Sequence, residues 1–422
     1  MYKLQILLSL FLSGLFLNTA SQQLNYSSKE AYAIHDSINK SRWDIGGRLS
    51  HYSFRFMSEF FPVAIIEKPT TSFRYLNKPL KAIEEIKVKH GNDSLRFDDY
   101  LQKLHINSFI AVHKGNVIYE KYFSMRPEEQ HTLQSSTKVV TSTLITQLIN
   151  EKKIDINMPV ETYLPELKNT DWQGTSVKDI LNMRSGMKGS ETSDNMGGFT
   201  NPKHPYYHFE EALGVLPVVD SVVPSVFDYV ASIKRRLPAG QEPEYHSMNT
   251  FILGWIAERV TGKKYAELVS EKIWKPMGAS SDAYVCISNK GVPWSHGGIS
   301  ATLKDFARFG MLFTKSEIIN HKESNISFAQ LKEIFNTPQL DRGFEKFQWG
   351  YQWDIAREGI IMKGGFGGQA LLIDSERDLV IAYFNHVDTG WMTNNMVSSK
   401  AINEIRRIID ESKNQNKIKK AL

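Results

Sequence analysis

The stretch Ser108-Phe109-Ile110-Ala111-Val112-His113, turning at Lys114-Gly115-Asn116 into Val117-Ile118-Tyr119-Glu120-Lys121-Tyr122 and running on to Ser135-Ser136-Thr137-Lys138, decides how this chain is read. Two β-rich runs around a Gly-containing turn predict a hairpin. From Ser136 to Asn150, apolar residues recur at Val139, Val140, Leu144, Ile145, Leu148 and Ile149. That is helical spacing, and it puts Ser135 at the start of a helix. Residues three apart share a helix face, so the Lys138 amine can reach the Ser135 hydroxyl. The positive end of the helix also suits an alkoxide or a tetrahedral oxyanion. On this local pattern alone Ser135 reads equally well as a helix-capping serine.

The tetrad Ser-x-x-Lys occurs three times, at Ser37–Lys40, Ser135–Lys138 and Ser185–Lys188. Ser185 is followed by Gly186, with Gly189 just past its lysine, so no helix holds that pair in register. Ser37 lies far upstream without partner segments. Two downstream segments favour Ser135. Pro238-Ala239-Gly240 leads through Glu244 into Tyr245-His246-Ser247, just ahead of a helical pattern from Phe251 to Val260 that stops at Gly262. Lys363-Gly364-Gly365-Phe366-Gly367-Gly368-Gln369 then falls on an expected strand.

In this order the motifs resemble those of serine hydrolases related to class C β-lactamases and penicillin-binding proteins, which carry Ser-x-x-Lys, Tyr-x-Asn and Lys/His-Thr/Ser-Gly. Val177 to Gly186, and Gly297-Gly298-Ile299-Ser300-Ala301-Thr302 with Asp305, Ala307 and Arg308, are similar too. The resemblance covers Ser108 to the C-terminal helix. It implies Ser135 as nucleophile, Lys138 as the group that eases removal of its proton, and Tyr245 as proton shuttle. It further implies Lys363 as a source of positive potential, with the backbone N–H groups of Ser135 and Phe366 as the oxyanion site. Gly365 belongs to the same substrate-binding strand. No cofactor and no metal are implied.

Two positions depart from the pattern. Ser247 stands where Asn is common, and Gly364 where Thr or Ser is common. In β-lactam-handling relatives the hydroxyl at the latter position helps bind the substrate carboxylate, and glycine has none. The pattern is therefore closer to family VIII esterases and 6-aminohexanoate-dimer hydrolases, with Lys363 still expected to offer a cation to a carboxylate. Tyr245, between Lys138 and Lys363, is expected to be pushed toward phenolate, and Lys138 toward its neutral form by burial. The expected activity is cleavage of an ester or amide through an acyl-enzyme on Ser135, in a small molecule or short peptide. The rival readings are a D,D-peptidase or β-lactamase on cell-wall-type substrates, and a non-catalytic peptide-binding relative. Four intact polar positions (Ser135, Lys138, Tyr245, Lys363) speak against the last.

Around this centre the expected fold is α+β and β-lactamase-like. One antiparallel sheet is built from both chain ends, including Phe347–Trp353, Gln369–Ile373 and Leu379–Phe384, and a helix from Ser398 to Ile409 closes the chain. A mostly helical lobe (155–288) is inserted. The expected units are a signal peptide (1–20), an extension wrapping the core (21–104), the hydrolase domain (105–412) and a basic tail (413–422). Lys3, the apolar run Leu4–Leu17 and Ala20 give the charge, apolar and small-residue order of a secretory signal. That run is shorter than the ~20 residues of a membrane span, so a periplasmic or secreted protein with no stable span is expected. One cysteine, Cys286, allows no internal disulfide and reads as core. A net charge of +5 from 51 basic and 46 acidic side chains, without a basic stripe interleaved with aromatics, excludes a nucleic-acid partner. His204 and His208 have a metal-like spacing, but Pro205 intervenes and no third ligand is evident.

Overall fold

A computed structural model describes residues 26–40, 43–44, 46–191, 201–219, 222–317, 348–355, 360–386 and 396–421. The expected signal segment lies outside them. Ile106–His113 and Asn116–Tyr122 form the hairpin, closed at Lys114 and Gly115, which both adopt positive φ. The hairpin joins strands from the far end of the chain. In spatial order the main sheet runs Gln348–Gly350, Trp353–Ile355, Ile360–Gly364, Ala370–Asp374, Leu379–Asn385, Ile106–His113, Asn116–Tyr122 and Leu76–Asn77. All pairs are antiparallel except the last. The sheet from both chain ends, expected from sequence, is thus present.

The central strands are apolar without a break because both faces are covered. Along Ile106–His113, Ile110 and Val112 face the core under the helical lobe, while Phe109 and Ala111 face the opposite core. Leu379–Asn385 alternates likewise, with Val380, Ala382 and Phe384 on one side and Leu379, Ile381 and Tyr383 on the other. The outer core is capped by the helices Phe97–Lys103 and Ser399–Ala421, through Phe97, Leu101, Ile402, Ile405 and Ile409. The inner core takes Val139, Val140, Leu144, Ile145 and Leu148 of the helix Thr137–Asn150.

Three expectations need correction. Gln348 to Trp353 is not one strand but the tip of a hairpin. Tyr351 and Gln352 take φ of 52° and 69°, and Gly350 pairs with Trp353 across them. Two consecutive left-handed residues make a tight turn that alternating aromatics do not advertise. The closing helix does not stop near Ile409 but continues to Ala421, through the stretch expected to be a tail. The helix before Phe251 starts earlier, at Ser247.

The segment ahead of the hairpin is threaded through both sheets. Its strand Val63–Ile66 pairs with Ala283–Cys286, which continues through Ile299–Ala301 to His131–Thr132. Trp43, Phe54 and Met57 enter the inner core, and Ile83, Val88 and Phe97 the outer one. Cys286 is fully buried in that second sheet.

Candidate active site

Ser135 sits in a single 3-10 turn, Gln134–Ser136, that leads directly into the helix Thr137–Asn150. Gln134 has a φ of 49°, a left-handed conformation that a non-glycine residue holds at a cost of ~1–3 kcal/mol. The turn is fastened by its neighbours. Leu133 N–H donates to Ile299 O, and Ser136 Oγ donates to Lys363 O at 3.1 Å. Gly365 closes the other side. A Cβ there would lie 2.5 Å from Leu133 O, so only glycine lets the two backbones approach so closely.

Lys138 Nζ donates to Ser135 Oγ at 3.2 Å and to His296 O at 2.9 Å. The lysine is 1% exposed. Burial pushes its pKa down to about 7; Lys363 works in the same direction, and Glu191, Glu210 and Asp354 oppose it only in part. The amine is therefore substantially unprotonated at neutral pH, as expected from sequence.

Tyr245 hydrogen-bonds Ser135 through its hydroxyl, and its ring centre lies 5.1 Å from Lys138 Nζ and 4.7 Å from Lys363 Nζ. The expected shift toward phenolate is wrong. Burial, with Asp354 and Glu191 adding to it, raises the Tyr245 pKa well above its ordinary value, and the bond to Ser135 opposes this only weakly. Tyr245 is a protonated phenol. Beside it, burial lowers the Lys138 pKa and Lys363 is ion-paired with Asp354.

Lys363 itself departs from the expected free cation. It is fully buried, and its Nζ is ion-paired with Asp354 Oδ1 at 3.0 Å. Asp354 Oδ2 also accepts from Gly364 N–H at 3.4 Å. Ser247 opens its helix with its N–H donating to both carboxylate oxygens of Glu191, at 3.1 Å each. Burial raises the Glu191 pKa, with His246 and Lys138 pulling against it.

Ser135, Lys138, Ser247 and Phe366 line one cleft. Its walls include residues that sequence reasoning did not single out. Trp43, Asp44 and Met57 come from the segment ahead of the hairpin, Tyr206 and Glu210 from the helix Pro205–Leu213, and Trp294 and His296 from the loop before Ile299. Glu210 Oε1 lies 2.9 Å from His296 Nε2. Burial pulls the Glu210 pKa up, but His296, Tyr206 and Lys138 outweigh it and hold it below the ordinary value. The other serine tetrads stand apart from this cleft. Ser37 Oγ donates to Ala33 O on a surface helix, and the Lys188 N–H is engaged with Lys234 O. His204 accepts from Tyr206 N–H, and His208 Nδ1 is 2.9 Å from Glu211. Among the described residues no group of three or more His, Cys, Asp or Glu is placed to hold a metal ion, and no helix is long and apolar enough to cross a membrane.

Comparison with known proteins places this arrangement. The β-lactamase family profile matches residues 98–395. A 6-aminohexanoate-dimer hydrolase of Paenarthrobacter ureafaciens is 24% identical over 345 residues, covering 79% of this chain and 84% of the relative. A teichoic acid D-alanine hydrolase of Staphylococcus aureus is 26% identical over 227 residues, 49% of each chain. Among solved structures, a candidate 6-aminohexanoate-dimer hydrolase from Bacillus anthracis superposes with a TM-score of 0.72 at 24% identity, covering 88% of this chain and 95% of the other. A family VIII carboxylesterase superposes with a TM-score of 0.54 at 17% identity, covering 74% and 96%.

Proposed function

The chain belongs to the β-lactamase family, and from that premise we propose that it is a serine hydrolase that cleaves an ester or amide through an acyl-enzyme on Ser135. The observation that carries this reading is the buried Lys138 amine, 3.2 Å from Ser135 Oγ and with its pKa pushed down to about 7. A serine hydroxyl needs a positioned base, and an amine that is neutral at physiological pH is one.

In this scheme Lys138 takes the Ser135 proton as Oγ attacks the carbonyl carbon. The oxyanion is held by the N–H groups of Ser135 and Phe366, both of which line the cleft. Collapse expels the leaving group, which takes a proton from the Tyr245 phenol, and Lys138 returns one to Tyr245. Water then attacks the acyl-enzyme with its proton passing to Lys138, which hands it on to Ser135 Oγ as the acyl group leaves, so that Ser135 is regenerated. Tyr245 thus acts from its protonated form, with Lys138 as the base that resets it.

Ester and amide substrates are favoured over β-lactams because Gly364 offers no hydroxyl and Lys363 is already paired with Asp354. We read residues 105–412 as the hydrolase unit and 21–104 as an extension that completes its cleft. Export, through residues 1–20, rests on Lys3, Leu4–Leu17 and Ala20; an intact mass that retains Met1 in protein from the native host would count against it. Labelling with a fluorophosphonate tests the central claim. The wild type should label at Ser135, and Ser135→Ala should neither label nor turn over. Near-normal turnover in Ser135→Ala refutes the reading.

A further inference from the structure

The nucleophile turn is held from behind by a polar network that the acyl-transfer scheme does not use. Its members are the fully buried Asn107 and His131, with His51 and His386, which line a second cavity beside Tyr26, Arg48 and His105. A carbonyl only accepts, so His131 Nδ1 carries the hydrogen that goes to Thr132 O at 2.9 Å. In the neutral ring Nε2 is then an acceptor, and Asn107 turns its amide nitrogen toward it at 3.2 Å. Asn107 Oδ1 is left to accept from Ser124 Oγ at 3.0 Å and from His386 Nδ1 at 2.8 Å. By the same rule His51 Nε2 donates to Ser124 O at 3.2 Å, and His51 Nδ1 accepts from the Tyr26 hydroxyl.

The three imidazoles are neutral. Burial lowers the pKa of each to about 3, and Arg55 works in the same direction on all three. Besides one another, the titratable and charged groups around the rings are Tyr26, Arg48, Arg55 and His105. Arg48 is paired with Glu30 and Arg55 with Glu129. His131 is also tied to Ser135. Thr132, whose carbonyl it holds, donates its N–H to Phe54 O at 2.8 Å. Thr132 Oγ1 accepts at 3.3 Å from the N–H of Gln134, the left-handed residue just before Ser135. The His131 ring stacks on Phe384 at 4.6 Å and meets Phe54 edge-on at 5.8 Å. Phe54 in turn packs so closely on Gly367, next to Phe366, that a Cβ there would lie 2.5 Å from its ring.

We propose that Asn107 and His131 are positioning residues for Ser135, and that acid releases them. A solvent proton taken up at His131 Nε2 sets its N–H against the Asn107 amide N–H, donor facing donor, and the turn loses its rear support. Rotating the Asn107 amide only moves the conflict to His386 Nδ1, which donates to the amide oxygen. Protons enter on the side where His51 and His386 line the second cavity. This rests on Ser135 being the nucleophile.

The test is the profile of kcat/KM for p-nitrophenyl acetate from about pH 3.5 to about pH 8. Protonation of Lys138 alone gives a slope of about one decade per pH unit on the acid side of about pH 7. The network should add a second break below about pH 5, where the slope approaches about two, with the far-UV circular dichroism unchanged across it. Asn107→Asp puts a carboxylate where it accepts from a protonated His131 as well as from His386. The second break should then vanish, and activity at about pH 4 relative to about pH 7 should exceed the wild-type ratio at least about tenfold. Asn107→Ala should lower kcat at about pH 8 at least about tenfold and change KM less than about threefold, as a misplaced nucleophile does. A wild-type slope of about one down to about pH 4, a second break that coincides with loss of the circular dichroism, or a break retained in Asn107→Asp overturns the proposal. The first two outcomes need no variant to fold. Fluorophosphonate labelling separates the two claims. An unlabelled wild type sinks the nucleophile reading, whereas a labelled wild type without the second break sinks only the network.

Discussion

Lys138 and Lys363 are both withdrawn from water, both stand within about 5 Å of the Tyr245 ring, and yet they do opposite things. Lys363 has Asp354 as an ion-pair partner at 3.0 Å. Lys138 has a serine hydroxyl and a backbone carbonyl, and among the described residues no carboxylate forms an ion pair with it. Burial disfavours the ammonium at both positions, and only the contacting carboxylate decides whether that penalty is offset. One buried lysine becomes a base and the other a strut. The motif Ser-x-x-Lys specifies reach, while the lack of an acid partner specifies function.

The sharpest way to break this contrast is to remove each ammonium with the same substitution. Lys138→Met should lower kcat at least about 10³-fold, within the range for loss of a general base. It should also raise the melting temperature at pH 7, because a desolvated amine is replaced by an apolar side chain of similar length. Between pH 7 and 10.5 the unfolded chain binds a proton on this lysine that the folded chain does not. Wild-type stability from this group therefore increases as pH rises through that window, and Lys138→Met should flatten the slope. In the wild type kcat/KM should climb through about pH 7 as Lys138 loses its proton. A profile flat from pH 5 to 9 removes Lys138 from the base role.

Lys363→Met should behave in the opposite sense for stability. It strands Asp354, whose side chain is 17% exposed. A fully enclosed pair broken on one side costs ~3–5 kcal/mol, and partial hydration of Asp354 brings the expected loss to about 2–3. Replacing both partners, as Lys363→Met with Asp354→Leu, should recover at least half of it, since no charge is then left alone. Urea denaturation of the three proteins checks this. If Lys363→Met is as stable as the wild type, the pair is not what distinguishes the two lysines.

How much of this was legible depended on distance along the chain. Ser135 and Lys138 are three residues apart on a helix whose apolar spacing is explicit, so their contact follows from geometry. The sheet from both chain ends was readable because its inner strands are apolar on both faces. Asp354 was not, since it lies on the three-residue strand Trp353–Ile355, set against Ile360–Gly364, and the expected single strand ended at Trp353, one residue short of it. Glu210 and His296 meet across 86 positions, and neither has a local signal beyond the glycines that follow His296. The direction of the Tyr245 shift was misread because the sequence displays two lysines and conceals the burial that dominates the shift, together with Asp354 and Glu191 that add to it.

The smallest expected effect concerns Gly364, and it tests whether a paired Lys363 can still serve a substrate carboxylate. Gly364 is not held by its backbone, since its φ is not positive, and a Cβ there would meet Met396 Cε at 3.5 Å and Gln369 O at 3.8 Å, both ordinary contacts. Gly364→Thr should therefore fold normally. A threonine hydroxyl adds one hydrogen bond to a carboxylate, worth ~1.5–3 kcal/mol when the site also supplies charge. Here Asp354 already occupies the Lys363 ammonium, and its negative charge opposes a second carboxylate nearby. The gain should fall to about 1 kcal/mol, or roughly fivefold in the ratio of cephalosporin to ester kcat/KM. Lys363 would then act through its field and its packing rather than as a docking cation. A gain of a hundredfold or more would mean that substrate displaces Asp354 and that the strut can be recruited, which would erase the distinction between the two lysines during turnover.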